Sequence, residues 1–192
     1  MARPRVLNWD RLLDAAAQEL AEVGPASFTL AGAADRAGAS AATYIKRFGS
    51  RHGVFMALNR RWADSVSAGI DSAVTTHQGI DRVREAVLWG VPEMDVSAHA
   101  VNNLAVFALD LTHADLRAIL HEGWTAQHQK ITALLTEVRR DGLLAAAPEP
   151  DRAARMLISL VEGTRIAWCV HPEGSLENLI RSHVDALLDA WN

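Results

Sequence analysis

The chain has 192 residues, 49% of them hydrophobic and 22% charged, and carries a net charge of −4. This is a globular composition, sufficient for one large domain or for a small domain joined to a larger one. The single cysteine, Cys169, excludes an internal disulfide. With no signal peptide and no apolar run long enough to span a bilayer, the expectation is a soluble protein of a reducing cytoplasm without a membrane partner.

The charge is unevenly spread. Residues 1–60 hold eight Lys and Arg against five Asp and Glu, a net +3, and residues 61–192 hold eleven against eighteen, a net −7. A basic N-terminal end on an acidic body points to a polyanion partner for one end only, although an excess this small also arises by chance.

Helical periodicity dominates, and no alternating strand or hairpin turn stands out. From Asn8 to Val23 the residues Trp9, Leu13, Ala16, Leu20 and Val23 recur at helical spacing, with Gly24 as the stop. Thr29 after Phe28 predicts an N-cap opening a short helix that ends at Gly38. Ser40 predicts the cap of the next helix, which stops at Phe48-Gly49. Ser50 caps a long one striped by Val54, Leu58, Trp62 and Val66. Beyond Gly79, Pro92 breaks one segment and an amphipathic stretch covers Ser97 to Leu111. Thr112 with Asp115 resembles a capping box that opens a helix ending at Gly142. The run AAAPEP at 145–150 reads as a surface connection. Asp151 to Val170 reads as a helix, Pro172-Glu173-Gly174 as a turn, and Ser175 to Trp191 as the last helix.

The first fifty residues thus hold three short helices, with only Gly38-Ala39 between the second and third. That is the layout of a helix-turn-helix. In GASAATYIKRFGS (38–50), Tyr44 and Phe48 lie on one face, suited to packing around Leu13, Leu20 and Ala34. The other face shows Ala41, Ala42, Thr43, Lys46 and Arg47. Small side chains at the front allow a helix to sink into the major groove, where Thr43 can bond a base or phosphate and the alanines can touch thymine methyls. Helix N-termini, such as that capped by Ser40, offer free N–H groups to phosphate. Lys46, Arg47 and Arg51 at the back suit backbone phosphates. Without the surrounding motif, the same bases read as a solvated helix end.

The stretch LLDAAAQELAEVG…FTLAGAADRAGASAATYIKRFGSRHGVFMAL resembles the DNA-binding domain of the tetracycline-repressor (TetR) family. Thr29, Ala34, Ala37, Gly38, Ser40, Thr43, Phe48 and Ser50 stand where that pattern has them. There are departures: Ala33 replaces a larger aliphatic residue, His52-Gly53 lacks the acid often found in the first turn of the next helix, and three further positions differ. The family's phosphate-contacting tyrosine falls at Ile45, while Tyr44 takes the usual leucine position and either partly substitutes at that phosphate or leaves it untouched. Arg51 replaces the usual lysine. Gly32 sits inside a helix, at a cost of roughly 1 kcal/mol relative to Ala. The resemblance implies a DNA-binding set of Thr29, Ser40, Ala41, Ala42, Thr43, Tyr44, Lys46, Arg47 and Arg51. It also implies an all-α chain of about nine helices. A helix-turn-helix domain (1–52) precedes a larger ligand-binding and dimerisation domain (53–192).

On that resemblance the partners are double-stranded operator DNA, a small-molecule effector and a second copy of the chain, with no cofactor. An apolar pocket between helices is the expected effector site. Its candidate residues are Trp62, Trp89, Asn103, Phe107, Trp124, His128 and Trp168, each of which also reads as plain core. Glu162 and Arg165, three apart on an apolar helix, pair with each other, across a dimer interface, or face a ligand. Leu157, Leu160, Val161, Arg165, Leu179, Ile180, Val184 and Leu187 are the candidate interface for a four-helix dimer bundle. A dimer also suits the DNA, since two recognition helices must reach grooves about 34–36 Å apart. The helix from Ser50 is the expected lever between operator-competent and released states.

Catalysis finds little support. His121 and His128 are seven apart, not the four of a zinc-protease helix, and no Gly-rich phosphate loop or GxSxG turn is present. Cys169 reads as core. No metal site is expected, and the rival to a regulator is a ligand-binding dimer of the same fold whose DNA contacts have decayed.

Overall fold

A computed structural model describes residues 9–91 and 96–192. The helix start expected at Asn8 and the break expected at Pro92 lie outside these residues. Nine helices are described: α1 (Trp9–Ser27), α2 (Leu30–Ala37), α3 (Ala41–Phe48), α4 (Arg51–Val74), α5 (Ile80–Leu88), α6 (Ser97–Thr112), α7 (Ala114–Arg140), α8 (Pro150–Val170) and α9 (Leu176–Trp191). No strand occurs among the described residues.

The caps read in the first fifty residues are formed. Thr29 Oγ1 accepts the Gly32 N–H, Ser40 Oγ that of Thr43, and Ser50 Oγ that of Gly53. Gly38 ends α2 in the left-handed region at φ 61°, which glycine adopts without strain. Gly24 is less of a stop than its position suggested. The backbone leaves helical geometry there at φ 72°, and a last turn through Pro25 continues to Ser27. Asn102 of α6 reaches this kink, donating from Nδ2 to the carbonyls of Ala21 (2.7 Å) and Glu22 (3.1 Å). The orphan carbonyls of α1 are therefore capped from the body of the molecule.

Two apolar clusters form the core. The first joins Leu12, Ala16, Leu20, Phe28, Ala33, Ala34 and Tyr44 to Val54 and Phe55 of α4 and Leu116 of α7. The α1 stripe is rotated from its expected setting: Leu12 is fully buried, whereas Leu13 is half-buried and Trp9 is 45% exposed. The second cluster fills the body, from Val66, Ile70 and Val74 of α4 through Val83 and Ile131 to Leu157, Ile180, Val184 and Leu188. At 24 residues and 1.5 Å per residue, α4 is about 36 Å long, and its two ends belong to different clusters. Only two residues, Gly49 and Ser50, separate it from α3.

Two glycines have a packing reason. A Cβ on Gly53 would lie 1.8 Å from the Phe48 carbonyl oxygen, so the tight α3–α4 corner requires glycine. One on Gly32 would lie 2.2 Å from Glu19 Oε1. The helix-propensity cost of Gly32 thus makes room for a buried acid. The expected capping box at Thr112 and Asp115 is absent. Thr112 ends α6 and donates to the Leu109 carbonyl at 2.7 Å, and α7 starts after His113 without a side-chain cap. Asp115 instead bonds the Leu116 N–H (2.9 Å) and His52 Nε2 (2.7 Å), tying the first turns of α4 and α7 together. Arg60 and Glu122 make a second tie between the same helices, with one bond at 3.2 Å.

Candidate functional site

The short α3 has two unlike faces. Tyr44 is 0% exposed, and its hydroxyl donates to the carbonyls of Leu12 (2.6 Å) and Ala33 (3.2 Å). Burial pushes its phenol up to about 12, so the group stays a neutral donor. Tyr44 is therefore a core residue and not a DNA contact, which corrects its place in the expected set. A tyrosine at a leucine position needs a partner for its hydroxyl, and the carbonyls of α1 and α2 supply it. Phe48 packs beside it with ring centroids 5.7 Å apart.

The outward face carries Ala42, Ile45, Lys46 and Arg47, all exposed, flanked by half-buried Ala41 and Thr43. Ile45 is 53% exposed, so the tyrosine–aliphatic exchange places a methyl-rich side chain where the family pattern has a hydroxyl. Ser40 Oγ and Thr43 Oγ1 lie 3.0 Å apart at the helix front. Behind them the Arg47 guanidinium lies 5.0 Å from the centre of the Trp9 ring, and that of Arg51 lies 4.9 Å from the Phe55 ring. Stacking holds both cations near the end of α3 while leaving their N–H edges usable. Thr29 stands exposed at the N-terminus of α2. The arrangement fits insertion of α3 with phosphates gripped at its back.

In the body, the expected effector residues divide. Asn103, Phe107 and Trp124 come together. Phe107 stacks on Trp124 with centroids 5.7 Å apart and planes 14° apart. Arg165 donates to Asn103 Oδ1 at 2.8 Å, lies 5.9 Å from the Phe107 centroid, and pairs with Glu162. Glu162 and Arg165 thus pair with each other within one subunit, beside the aromatic pair. Burial pushes the Glu162 carboxyl up while Arg165 pulls it back. Trp62 of α4 packs on α7, its ring filling the space over Gly123, where a Cβ would come within 2.2 Å.

Trp89, His128 and Trp168 have packing roles of their own. Trp89 covers Gly69, His128 Nε2 bonds the Asp151 carbonyl at 3.1 Å, and buried Trp168 donates to the Glu173 carbonyl at 3.2 Å. Two open clefts, one lined by Asp71, His77, Arg82 and Asp141 and the other by Asp10, Arg47, Arg60 and Asp64, include none of the expected effector residues. Sequence reading missed Asp110, which is 4% exposed on α6 next to Asn59 of α4. Its one visible signal is that it is the single acid of α6, one turn beyond Phe107.

The expected dimer residues need correction as well. Leu157, Ile180 and Val184 are 0% exposed within a single subunit, Val161 is 8% and Arg165 5% exposed. They belong to the subunit's own core and are closed to a partner. Leu160, Leu179 and Leu187 are half-buried. The face of α8 that remains open carries Met156 (38%), Ile166 (46%) and Val170 (82%), with exposed Ser159 and Gly163 between them. The α8 sequence is apolar on two sides, and the packing of α7 and α9 decides which one turns inward.

None of the described helices is long and apolar enough to cross a membrane. No three His, Cys, Asp or Glu among the described residues group as metal ligands would. Residues 12–58 match the family described as bacterial regulatory proteins of the tetR family, and residues 79–190 match the C-terminal domain of BetI-type transcriptional repressors. A comparison with curated proteins finds no match. Among solved structures, the chain is similar to a regulator from Rhodococcus sp. assigned to the TetR family, at 22% identity and a TM-score of 0.75, covering 95% of this chain and 97% of that one. It is also similar to a transcriptional regulator from Saccharomonospora viridis in complex with choline, at 18% identity and a TM-score of 0.81, covering 94% of each chain. A third is FadR from Bacillus subtilis in complex with stearoyl-CoA, at 17% identity and a TM-score of 0.74, covering 96% of this chain and all of that one. These likenesses show a shared fold, and members of the matched family are transcription factors, not enzymes. With both its helix-turn-helix end and its helical body matched, the chain belongs to the TetR family of DNA-binding transcriptional regulators.

Proposed function

We propose that this chain is a homodimeric repressor released from its operator by a small amphipathic molecule bound in the body. The observation that carries the reading is the division of α3, with Tyr44 sealed into the core and Ala42, Ile45 and Lys46 turned outward. The small front suits base edges and thymine methyls, and Lys46, Arg47 and Arg51 suit the phosphates. Ile45 has no hydroxyl to give a phosphate, so affinity rests on these cations and on helix N-termini.

The partner copy is placed on the open side of α8. Met156, Ile166 and Val170 form an apolar stripe, and Gly163 faces open space, with nothing within 4 Å of a Cβ built there. A glycine that its own subunit does not require suits close approach of a second helix. The effector is placed beside Asn103, Phe107 and Trp124, between helices that touch α4. Stearoyl-CoA, held by one structural neighbour, is amphipathic, and choline, held by another, is a small cation; an aromatic wall with a polar end can accept either. An effector favouring the released setting of α4 lowers DNA affinity, and DNA lowers effector affinity by the same factor.

The test is selection of bound sequences from a random DNA pool, followed by anisotropy over a salt series. Enrichment of a palindrome with half-sites about one helical turn apart, and a steep fall of affinity with salt, supports the reading. No enrichment by the wild-type protein contradicts it, and favours the ligand-binding dimer whose DNA face has decayed.

A further inference from the structure

Along its length, the outward face of α3 is divided into two unlike sides. Ala41, Ala42 and Ile45 are helical neighbours on one side, and Thr43 and Arg47 hold the other. Lys46 stands between them, one turn on from Ala42. The first side carries no polar side-chain atom. Ile45 is its largest member and is 53% exposed, more than Trp9 or Val23, the other large apolar side chains left open among the described residues of α1 to α3. Trp9 has a cover in the Arg47 guanidinium, 5.0 Å from its ring centre. Ile45 stays open to solvent.

A lone isoleucine on an ordinary surface asks for no explanation. On a helix that enters DNA it does, because the side chain gives up its water there. Isoleucine has no hydrogen bond to offer a phosphate, and its methyls against a charged oxygen would strip solvent without replacing it. Nor can it bond the donors and acceptors of the base edges. What the major groove presents to an apolar side chain is the C5-methyl of thymine. Ile45 reaches beyond the single methyl of Ala42, so it is the member of this side able to cover that group. Its branched Cβ also restricts its rotamers, so little side-chain freedom is lost in the contact.

We propose that Ile45 is a specificity-determining residue: in each half-site of the operator, a thymine methyl packs against it. This rests on the DNA-binding reading above and adds a base that the site must contain. The aromatic–aliphatic exchange at 44 and 45 then has two linked consequences. The tyrosine ring turns inward, where the carbonyls of Leu12 and Ala33 take its hydroxyl. The aliphatic side chain turns outward, and a contact to base replaces one to phosphate, which carries no sequence information.

The experiment uses the DNA that the full-length wild-type protein enriches from the random pool. Each thymine is replaced in turn by deoxyuridine, which removes the methyl and keeps every hydrogen-bonding group of the base. Affinities of wild type and Ile45→Ala are then read by anisotropy at one fixed salt concentration. We expect one thymine per half-site at which the replacement weakens wild-type binding about fourfold, and about fifteenfold when both half-sites carry it. Ile45→Ala should bind the unmodified DNA more weakly and no longer respond to deoxyuridine at that thymine, so the two losses do not add. A wild type indifferent to deoxyuridine at every thymine, or a half-site without thymine, overturns the proposal and leaves the DNA-binding reading standing. A response that Ile45→Ala retains overturns it too, and gives the methyl to Ala42 instead. Failure of the wild type to enrich any sequence overturns both readings together.

Discussion

The two ends of the molecule bury their acids differently. In the DNA-binding end, Glu19 of α1 is 8% exposed and meets Arg36 of α2 at 2.5 Å, and Arg36 turns its other edge to Glu22. Gly32 leaves the space that Glu19 fills. In the body, Asp110 is as deeply buried but has a neutral amide, Asn59, where Glu19 has a guanidinium. A satisfied buried pair fixes the angle between two helices. An acid held only by a neutral amide keeps its charge uncompensated, a preference that a proton can collect. The first end is built to present α3 in one orientation, and the second to respond.

The sharpest way to break the rigid half is Gly53→Ala. The added Cβ meets backbone, the Phe48 carbonyl oxygen, which cannot swing aside as a side chain would. We expect a loss of about 3 kcal/mol, seen as a fall of roughly 6–12 °C in Tm for a chain of this size. An unchanged Tm contradicts the tight α3–α4 corner.

The responsive half should behave in the opposite sense. Asp110→Asn keeps shape and removes the charge, so without ligand we expect it to stabilise the protein by about 1–2 kcal/mol near pH 8. The sign follows from the raised carboxyl of Asp110. A folded-state pKa above the unfolded one means the folded chain holds the extra proton, so stability falls as pH rises through the raised value. The variant lacks that fall. Asp115, Glu22 and Glu122, held low by His52, Arg36 and Arg60, work the other way, and their contribution is lost as pH falls. Melting curves of wild type and variant from pH 5 to pH 8 should therefore diverge toward the alkaline end.

A smaller effect tests the division of α3. Tyr44→Phe removes the hydroxyl that serves Leu12 and Ala33 and should cost about 1 kcal/mol. The salt dependence of DNA binding should not change. A shallower slope in this variant would mean that Tyr44 does reach phosphate.

The fold was legible where local chemistry decides it. Thr29, Ser40, Ser50 and Gly38 are caps and a turn whose role depends on near neighbours alone, and each acts as read. The rotation of α1, the burial of Tyr44 and the inward face of α8 were not legible, because each depends on which neighbour arrives from far along the chain. Leu12 and Leu13 are both leucines on an amphipathic helix, and the arrival of Tyr44, Val54, Phe55 and Leu116 from farther along the chain buries Leu12. Asn102, which caps α1 from a helix some eighty residues away, leaves no trace in sequence spacing. The aromatic pair Phe107–Trp124 was found among the large aromatics because these are few. Asp110 was missed because an acid near a helix end ordinarily reads as solvated.

Binding to DNA rests most directly on the outward face of α3, and Lys46→Ala on the selected operator tests it. Lys46 is exposed, so Tm should stay within about 1 °C of wild type. The slope of log affinity against log salt should become shallower by about 0.9 for each phosphate that the variant no longer neutralises. An unchanged slope and affinity in this variant would contradict the placement of α3 against DNA.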